Sequence, residues 1–253
     1  MAIARFSLPF TYTAHVQKPS CSCRCSNSFE KPNSVASKTL QEIQNSGVIA
    51  CLRAQNADLV NQAARAALDG GISVLEIVGS TPDAFEVLKN LIHDYPTKTF
   101  GVGTVFQTKD AKDSIQAGAK FLMSPATVTD ILVGASENDT LYIPGVITPT
   151  EILSVYRAGT KNVKVYPVSA RGGVGYISAL KRPFSHIPMV ASQGITIDLI
   201  RQYIGQGASA VVLSDAIFDK EAMSQHNFDK IYQLASQAAL QVDKLLKGQN
   251  IRC

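Results

Sequence analysis

The sequence predicts a (β/α)8 barrel of the TIM type over residues 39–253, and three observations carry that expectation. A unit of Ala-rich amphipathic helix, glycine break and short β-branched run recurs in "ARAALDGGISVLEIV", "AKDSIQAGAKFLMS", "ILSVYRAGTKNVKVYP" and "IRQYIGQGASAVVLS", a pattern that belongs to parallel βα units. Eight apolar runs, each too short for a helix, follow one another at regular spacing. No G-x-G-x-x-G turn with a later acid opens the first unit, which disfavours a dinucleotide-binding open sheet.

Taken in order, residues 39–47 form a short helix over the N-terminal end of the barrel. The first strand falls at 48–53 (VIACLR) and the second at 73–78 (SVLEIV), after a helix that stops at Gly70-Gly71, where a left-handed residue is needed. The third lies at 99–105 (TFGVGTV), the fourth at 120–124 (KFLMS) and the fifth at 141–145 (LYIPG). The sixth occupies 162–167 (NVKVYP), the seventh 188–192 (PMVAS) and the eighth 209–214 (SAVVLS), with closing helices over 219–247. Boundaries of this kind hold to within a few residues.

Composition excludes several classes. With 45% hydrophobic and 17% charged residues, the 253-residue chain is long enough to bury a large core. No window approaches the roughly 18 uninterrupted apolar residues of a membrane span. The net charge of +4 lies in residues 1–38, where Arg5, Lys18, Arg24, Lys31 and Lys38 face the single acid Glu30. The rest is balanced and offers no basic face for nucleic acid. Residues 1–38 are rich in Ser and Thr and hold no acid before Glu30, the composition of a disordered transit peptide, plastid-like rather than mitochondrial. The expected location is the chloroplast stroma. Cys21, Cys23 and Cys25 fall inside that leader, and Cys51 reads as core filling, so no disulfide framework is expected.

Reactive groups in such a barrel sit at the C-terminal strand ends, and alternate residues point inward. In "KNVKVYP", Val163 and Val165 share one face and Asn162, Lys164 and Tyr166 the other, so Lys164 points into the barrel. On the second strand Leu75 and Ile77 face the helices, and Glu76 also points inward. A buried amine favours its neutral, nucleophilic form, which attacks a carbonyl to give a Schiff base, an electron sink for the adjacent C–C bond. A carboxylate beside it shuttles protons. The two residues therefore compose an aldolase-type site. The same spacing also fits a structural Lys–Glu ion pair, or a Lys164 that snorkels along Tyr166.

The pieces "VIACLR", "GGISVLEI", "GVGTV", "AGAKFLMSP", "YIPGVITPTE", "VKVYP" with "GGVGYISALKRPF", and "GIT" resemble the 2-keto-3-deoxy-6-phosphogluconate / 4-hydroxy-2-oxoglutarate aldolases over about residues 45–243. The resemblance implies a class I Schiff-base aldolase, an aldehyde-lyase without cofactor or metal, on a (β/α)8 barrel and assembled as a homotrimer. It makes Lys164 the Schiff-base lysine and Glu76 the general acid/base. Thr104 would contact the substrate carboxylate, Pro125 form a pocket wall and Arg53 face the anionic substrate. The turns after the seventh and eighth strands, holding Gly194 and Ser214, would meet the substrate's far end.

The chain departs from the family in three places. Ser80 stands where an arginine usually grips the carboxylate, four positions after Glu76. The glycine-rich phosphate turns read "SQGIT" and "LSDAI". Gln193 adds bulk, and Asp215 sets a carboxylate near a dianion or caps the next helix. A smaller, unphosphorylated 2-oxo acid such as 4-hydroxy-2-oxoglutarate fits these loops better than the phosphorylated six-carbon acid. "ARGGVGY" at 170–176 forms either a βα loop in which Arg171 contacts an anion or a plain turn. His93, His186 and His226 lack partners at metal spacing. The rival functions are a non-catalytic anion-binding or regulatory barrel and a non-covalent sugar-phosphate isomerase or lyase.

Overall fold

The computed structural model describes residues 34–249, with side chains through residue 245. Cys21, Cys23, Cys25 and Cys253, on which the sequence readings of the leader and the C-terminus fell, lie outside the described residues. Glycine does in the structure what the repeats require of it. Gly71, Gly118, Gly159 and Gly207 have φ of 104°, 98°, 99° and 103°, and the residue after each returns its N–H to the preceding helix. Those bonds run from Ile72 to Ala67, Ala119 to Ser114, Thr160 to Val155 and Ala208 to Tyr203, at 3.0–3.1 Å. This left-handed closure ends each helix and aims the chain into a strand.

The strands are β1 (Val48–Leu52), β2 (Val74–Val78), β3 (Thr99–Gly103), β4 (Phe121–Met123), β5 (Leu141–Ile143), β6 (Gly145–Val146), β7 (Val163–Val165), β8 (Met189–Ser192) and β9 (Ala210–Leu213). All pairs are parallel, in the order β5-β4-β3-β2-β1-β9-β8-β7-β6. The expected fifth strand is thus broken in two at Pro144. Proline has no N–H to give to a ladder, and the chain changes partner there. Ile143 accepts from the Ser124 N–H at 3.4 Å, and Pro144 accepts from the Lys164 N–H at 2.8 Å. The two pieces fill one strand position and complete the (β/α)8 barrel.

The outer layer holds α2 (Ala57–Asp69), α3 (Ala84–Asp94), α4 (Thr108–Gln116), α5 (Thr129–Glu137), α6 (Pro149–Arg157), α7 (Val174–Lys181), α8 (Ile200–Gly205), α9 (Lys220–Ser224) and α10 (Phe228–Gln249). In "ITPTE", Thr148 and Glu151 form a reciprocal capping box with Pro149 in the first turn of α6, which fixes where that helix starts. One apolar cluster, including Leu75, Ile77, Val163 and Val165, packs strands on helices. A second fills the barrel with Ile49, Val74, Phe121, Met123, Ile143 and Val190. The parity expected for the second and sixth predicted strands is the parity seen in β2 and β7.

The floor of the barrel is α1 (Val35–Ser46), whose Ala36, Leu40 and Ile43 join the interior cluster. It starts inside the segment 1–38 expected as disordered leader. Ser34 caps it by accepting the Ser37 N–H at 3.1 Å. Asp139, just before β5, accepts the N–H groups of Val35 at 2.7 Å and Ala36 at 3.3 Å. The Val35 bond, more than any other influence, holds the Asp139 carboxyl below the usual carboxylate range. At the other end of α1, Glu42 accepts from the Thr99 hydroxyl and pairs with Lys120 at 3.7 Å.

A depressed folded-state pKa contributes stability that is complete above the unfolded value and is lost as pH falls through the folded one. Asp139→Ala is therefore expected to cost about 1 kcal/mol at neutral pH, as for other helix N-terminal caps, lowering Tm by roughly 2–4 °C. Calorimetry should show the deficit vanishing in acid below about pH 3.9. A deficit that persists there would assign the effect to packing instead.

Candidate active site

Parity delivers the reactive side chains to the C-terminal mouth. Arg53 follows β1, Glu76 lies on β2, Thr104 follows β3, Pro125 follows β4, Lys164 lies on β7, Gly194 follows β8 and Ser214 follows β9. All seven line one cavity of about 640 Å³. Lys164 is 6% exposed and Glu76 1% exposed. Among the described residues they form no ion pair with each other. The ammonium instead lies 5.4 Å from the centre of the Tyr166 ring, a cation–π contact. Glu76 Oε2 is buried and has no hydrogen-bond partner among the described residues. The neighbouring Cys51 thiol hydrogen-bonds the carboxylate; an unpartnered buried carboxylate oxygen is still costly, so its retention points to a partner that arrives with substrate.

Glu76 fits because β3 offers no side chain where it lies. A Cβ on Gly103 would sit 1.4 Å from Glu76 Oε1. Beside Gly103, Thr104 takes φ of 60°, a left-handed conformation that is strained for a β-branched residue. Across the barrel, a Cβ on Gly145 would lie 2.2 Å from the Pro125 backbone, so Pro125 seats directly on β6.

Sequence reasoning missed several lining residues. Cys51, read as core filling, lies in register with Glu76 and lines the cavity. Burial first, and the Glu76 carboxylate second, push its thiol well above the usual range. It is therefore a protonated wall rather than a nucleophile. Ser192 and Thr196 also line the cavity, beside Tyr166, expected on the inward face, and Gln193, expected in the turn after the seventh predicted strand. Parity was the available signal: Cys51 shares the inward set of Ile49 and Arg53, and Ser192 that of Val190.

Three expectations are resolved by position. Ser80 is exposed and absent from the lining, whereas Arg53 is present. Asp215 lines the cavity and pairs with Lys220 at 3.3 Å. The cap of α9 is Asp219, which accepts the Ala222 N–H at 2.9 Å, so the capping role considered for Asp215 belongs four residues later. Arg171 is exposed and outside the lining. His93 hydrogen-bonds Asp94, and His186 packs edge-on to Tyr156. Among the described residues no cluster of His, Cys, Asp or Glu is placed to hold a metal, and no helix is long and apolar enough to cross a membrane.

Residues 40–234 match the family model for KDPG and KHG aldolase. The chain belongs to the KDPG and KHG aldolase family. Its enzymes are lyases, and the sequence relatives agree. The KHG/KDPG aldolase of Escherichia coli is 29% identical over 175 residues, 69% of this chain and 82% of that one. The 2-dehydro-3-deoxy-phosphogluconate aldolase of Pseudoalteromonas atlantica is 30% identical over 69% of this chain and 81% of its own length. Among solved structures, the KDPG aldolase of Legionella pneumophila, with pyruvate captured as a covalent carbinolamine, superposes with a TM-score of 0.73. It is 27% identical and matches 79% of this chain and 97% of that one.

Gly103→Ala tests whether the family site depends on the space over β3. The barrel should fold, by circular dichroism, while aldolase activity falls about 100-fold or more because Glu76 is displaced. Activity within a few-fold of the parent would show that Glu76 works from another position.

Proposed function

We propose that the protein is a class I aldolase that cleaves or forms an unphosphorylated 4-hydroxy-2-oxo acid, with pyruvate as the common product. The observation that carries the reading is the juxtaposition of Lys164 and Glu76, 6% and 1% exposed, on one cavity without an ion pair between them. A structural pair would be expected to close on itself.

In the proposed cleavage, the Lys164 amine adds to the C2 carbonyl, and Glu76 protonates the carbinolamine hydroxyl so that it leaves as water. Glu76 then takes the proton of the C4 hydroxyl. The C3–C4 bond breaks, its electron pair passes into the iminium, and the aldehyde departs. The enamine regains a proton at C3, and the water added to release pyruvate balances the water lost earlier. Arg53 and Thr104 hold the C1 carboxylate, a charge-assisted contact that Ser80 does not reach. Tyr166 shields the amine from solvent.

The composition of residues 1–38 supports delivery to a plastid, and the family resemblance supports a homotrimer.

Borohydride reduction of the full chain in millimolar pyruvate, read by intact and peptide mass, is the direct test. One reduced pyruvyl group on Lys164, absent in Lys164→Ala, is expected. Glu76→Gln should still trap pyruvate while losing turnover by roughly 10²–10⁴-fold. An unmodified Lys164 would refute covalent catalysis.

A further inference from the structure

The cavity's charges limit what the far end of the substrate is. Among the described residues that line it, the cations are Lys164 and Arg53 and the carboxylates are Glu76 and Asp215. In the proposed mechanism, on which this inference rests, Lys164 is committed to C2 and Arg53 to the C1 carboxylate. Carbons beyond C4 are left with the turns after β8 and β9, whose lining side chains include Gln193, Thr196, Ser214 and Asp215. None is cationic.

These turns are built rather than slack. Gln193 is held at φ 88°, a conformation that side chains rarely adopt. Its Oε1 accepts a hydrogen bond from the Ser169 hydroxyl, which leaves the amide N–H groups as its free donors. Ser169 also packs on Gly194, where a Cβ would lie 2.5 Å from its Oγ. The turn that would offer bare backbone N–H groups to a phosphate thus carries a pinned carboxamide and a hydroxyl. Asp215 supplies acceptors only. Its pair with Lys220, at 3.3 Å, joins side chains 69% and 84% exposed, and such a pair is weak and leaves the carboxylate's field at the rim.

We propose that the aldehyde half of the substrate is an uncharged polyhydroxylated chain, so that the enzyme acts on a 2-oxo-3-deoxy sugar acid ending in a free hydroxymethyl group. A hydroxyl both donates and accepts, and it matches the Gln193 N–H and Asp215 carboxylate together. A phosphate or second carboxylate only accepts and meets Asp215 as a like charge. The dicarboxylate 4-hydroxy-2-oxoglutarate satisfies the size limit read from the sequence but brings a second anion to the same rim. In the cleavage the C4 hydroxyl proton passes to Glu76, the C3–C4 electron pair to the Lys164 iminium, and C4 leaves as a neutral aldehyde.

The test compares three substrates on the full chain by pyruvate release: a six-carbon 2-oxo-3-deoxy aldonate, its 6-phosphate, and 4-hydroxy-2-oxoglutarate. The neutral-ended acid should have kcat/KM at least about ten-fold above both others, and Asp215→Asn should shrink that ratio by lowering the first and raising the second. Equal or faster cleavage of either substrate that carries a second anionic group overturns the inference. So does an unchanged ratio in Asp215→Asn, or turnover of none of the three by an enzyme that still traps pyruvate on Lys164. Failure to trap pyruvate would instead overturn the aldolase mechanism beneath it.

Discussion

A buried amine and a buried carboxylate line one cavity with no ion pair between them, each placed there by the inward parity of its own strand. Desolvating either charge costs several kcal/mol, which direct pairing would partly recover. Lys164 is held on β7 with its ammonium toward the Tyr166 ring, and Glu76 lies on β2 across the space cleared by Gly103. The strain at Thr104 adds to the burden. The rest of the fold must be stable enough to carry these groups, because the contacts they make, a cation–π contact for Lys164 and the Cys51 thiol for Glu76, offset only part of that cost.

That stability is concentrated at the opposite end. Below the site the interior is apolar, with Phe121 lying against Gly101 so closely that a Cβ there would meet the ring at 2.4 Å. The floor is α1, tied by backbone donors to Asp139 and by Glu42 to Thr99 and Lys120. The barrel is therefore graded from a mainly apolar base to a polar mouth, as parallel βα units allow when loops at one end carry chemistry and those at the other carry stability.

The gradient explains what could be read from the sequence. The helix–glycine–strand repeat and the parity of "KNVKVYP" are local signals, and they located the barrel, Lys164 and Glu76. The break at Pro144 was not legible, because a proline in a strand reveals its effect only once both neighbouring strands are known. The sequence reading offered only Asp215 as a cap, and it took the hydrogen bond to Ala222 to place that role at Asp219. Cys51 packs on the interior cluster as read and also lines the cavity, a second role that its inward parity allowed but that nothing in an apolar run demands. The likeness of Gln193 to an ordinary loop residue hid both its backbone conformation and its tether to Ser169, which joins residues 24 positions apart.

The placement of α1 also acts as a ruler for proteolysis. The first described turn, from Ser34, is a load on the floor of the barrel: its N–H groups engage Asp139 and its Ala36 touches the interior cluster. Trimming that stops upstream of Ser34 leaves those contacts whole. Trimming that runs a few residues further removes the donors, exposes the Asp139 loop and lets water reach the base of the same cylinder whose other end holds Lys164. How far the chain can be trimmed from its N-terminal side without loss is thereby set by α1.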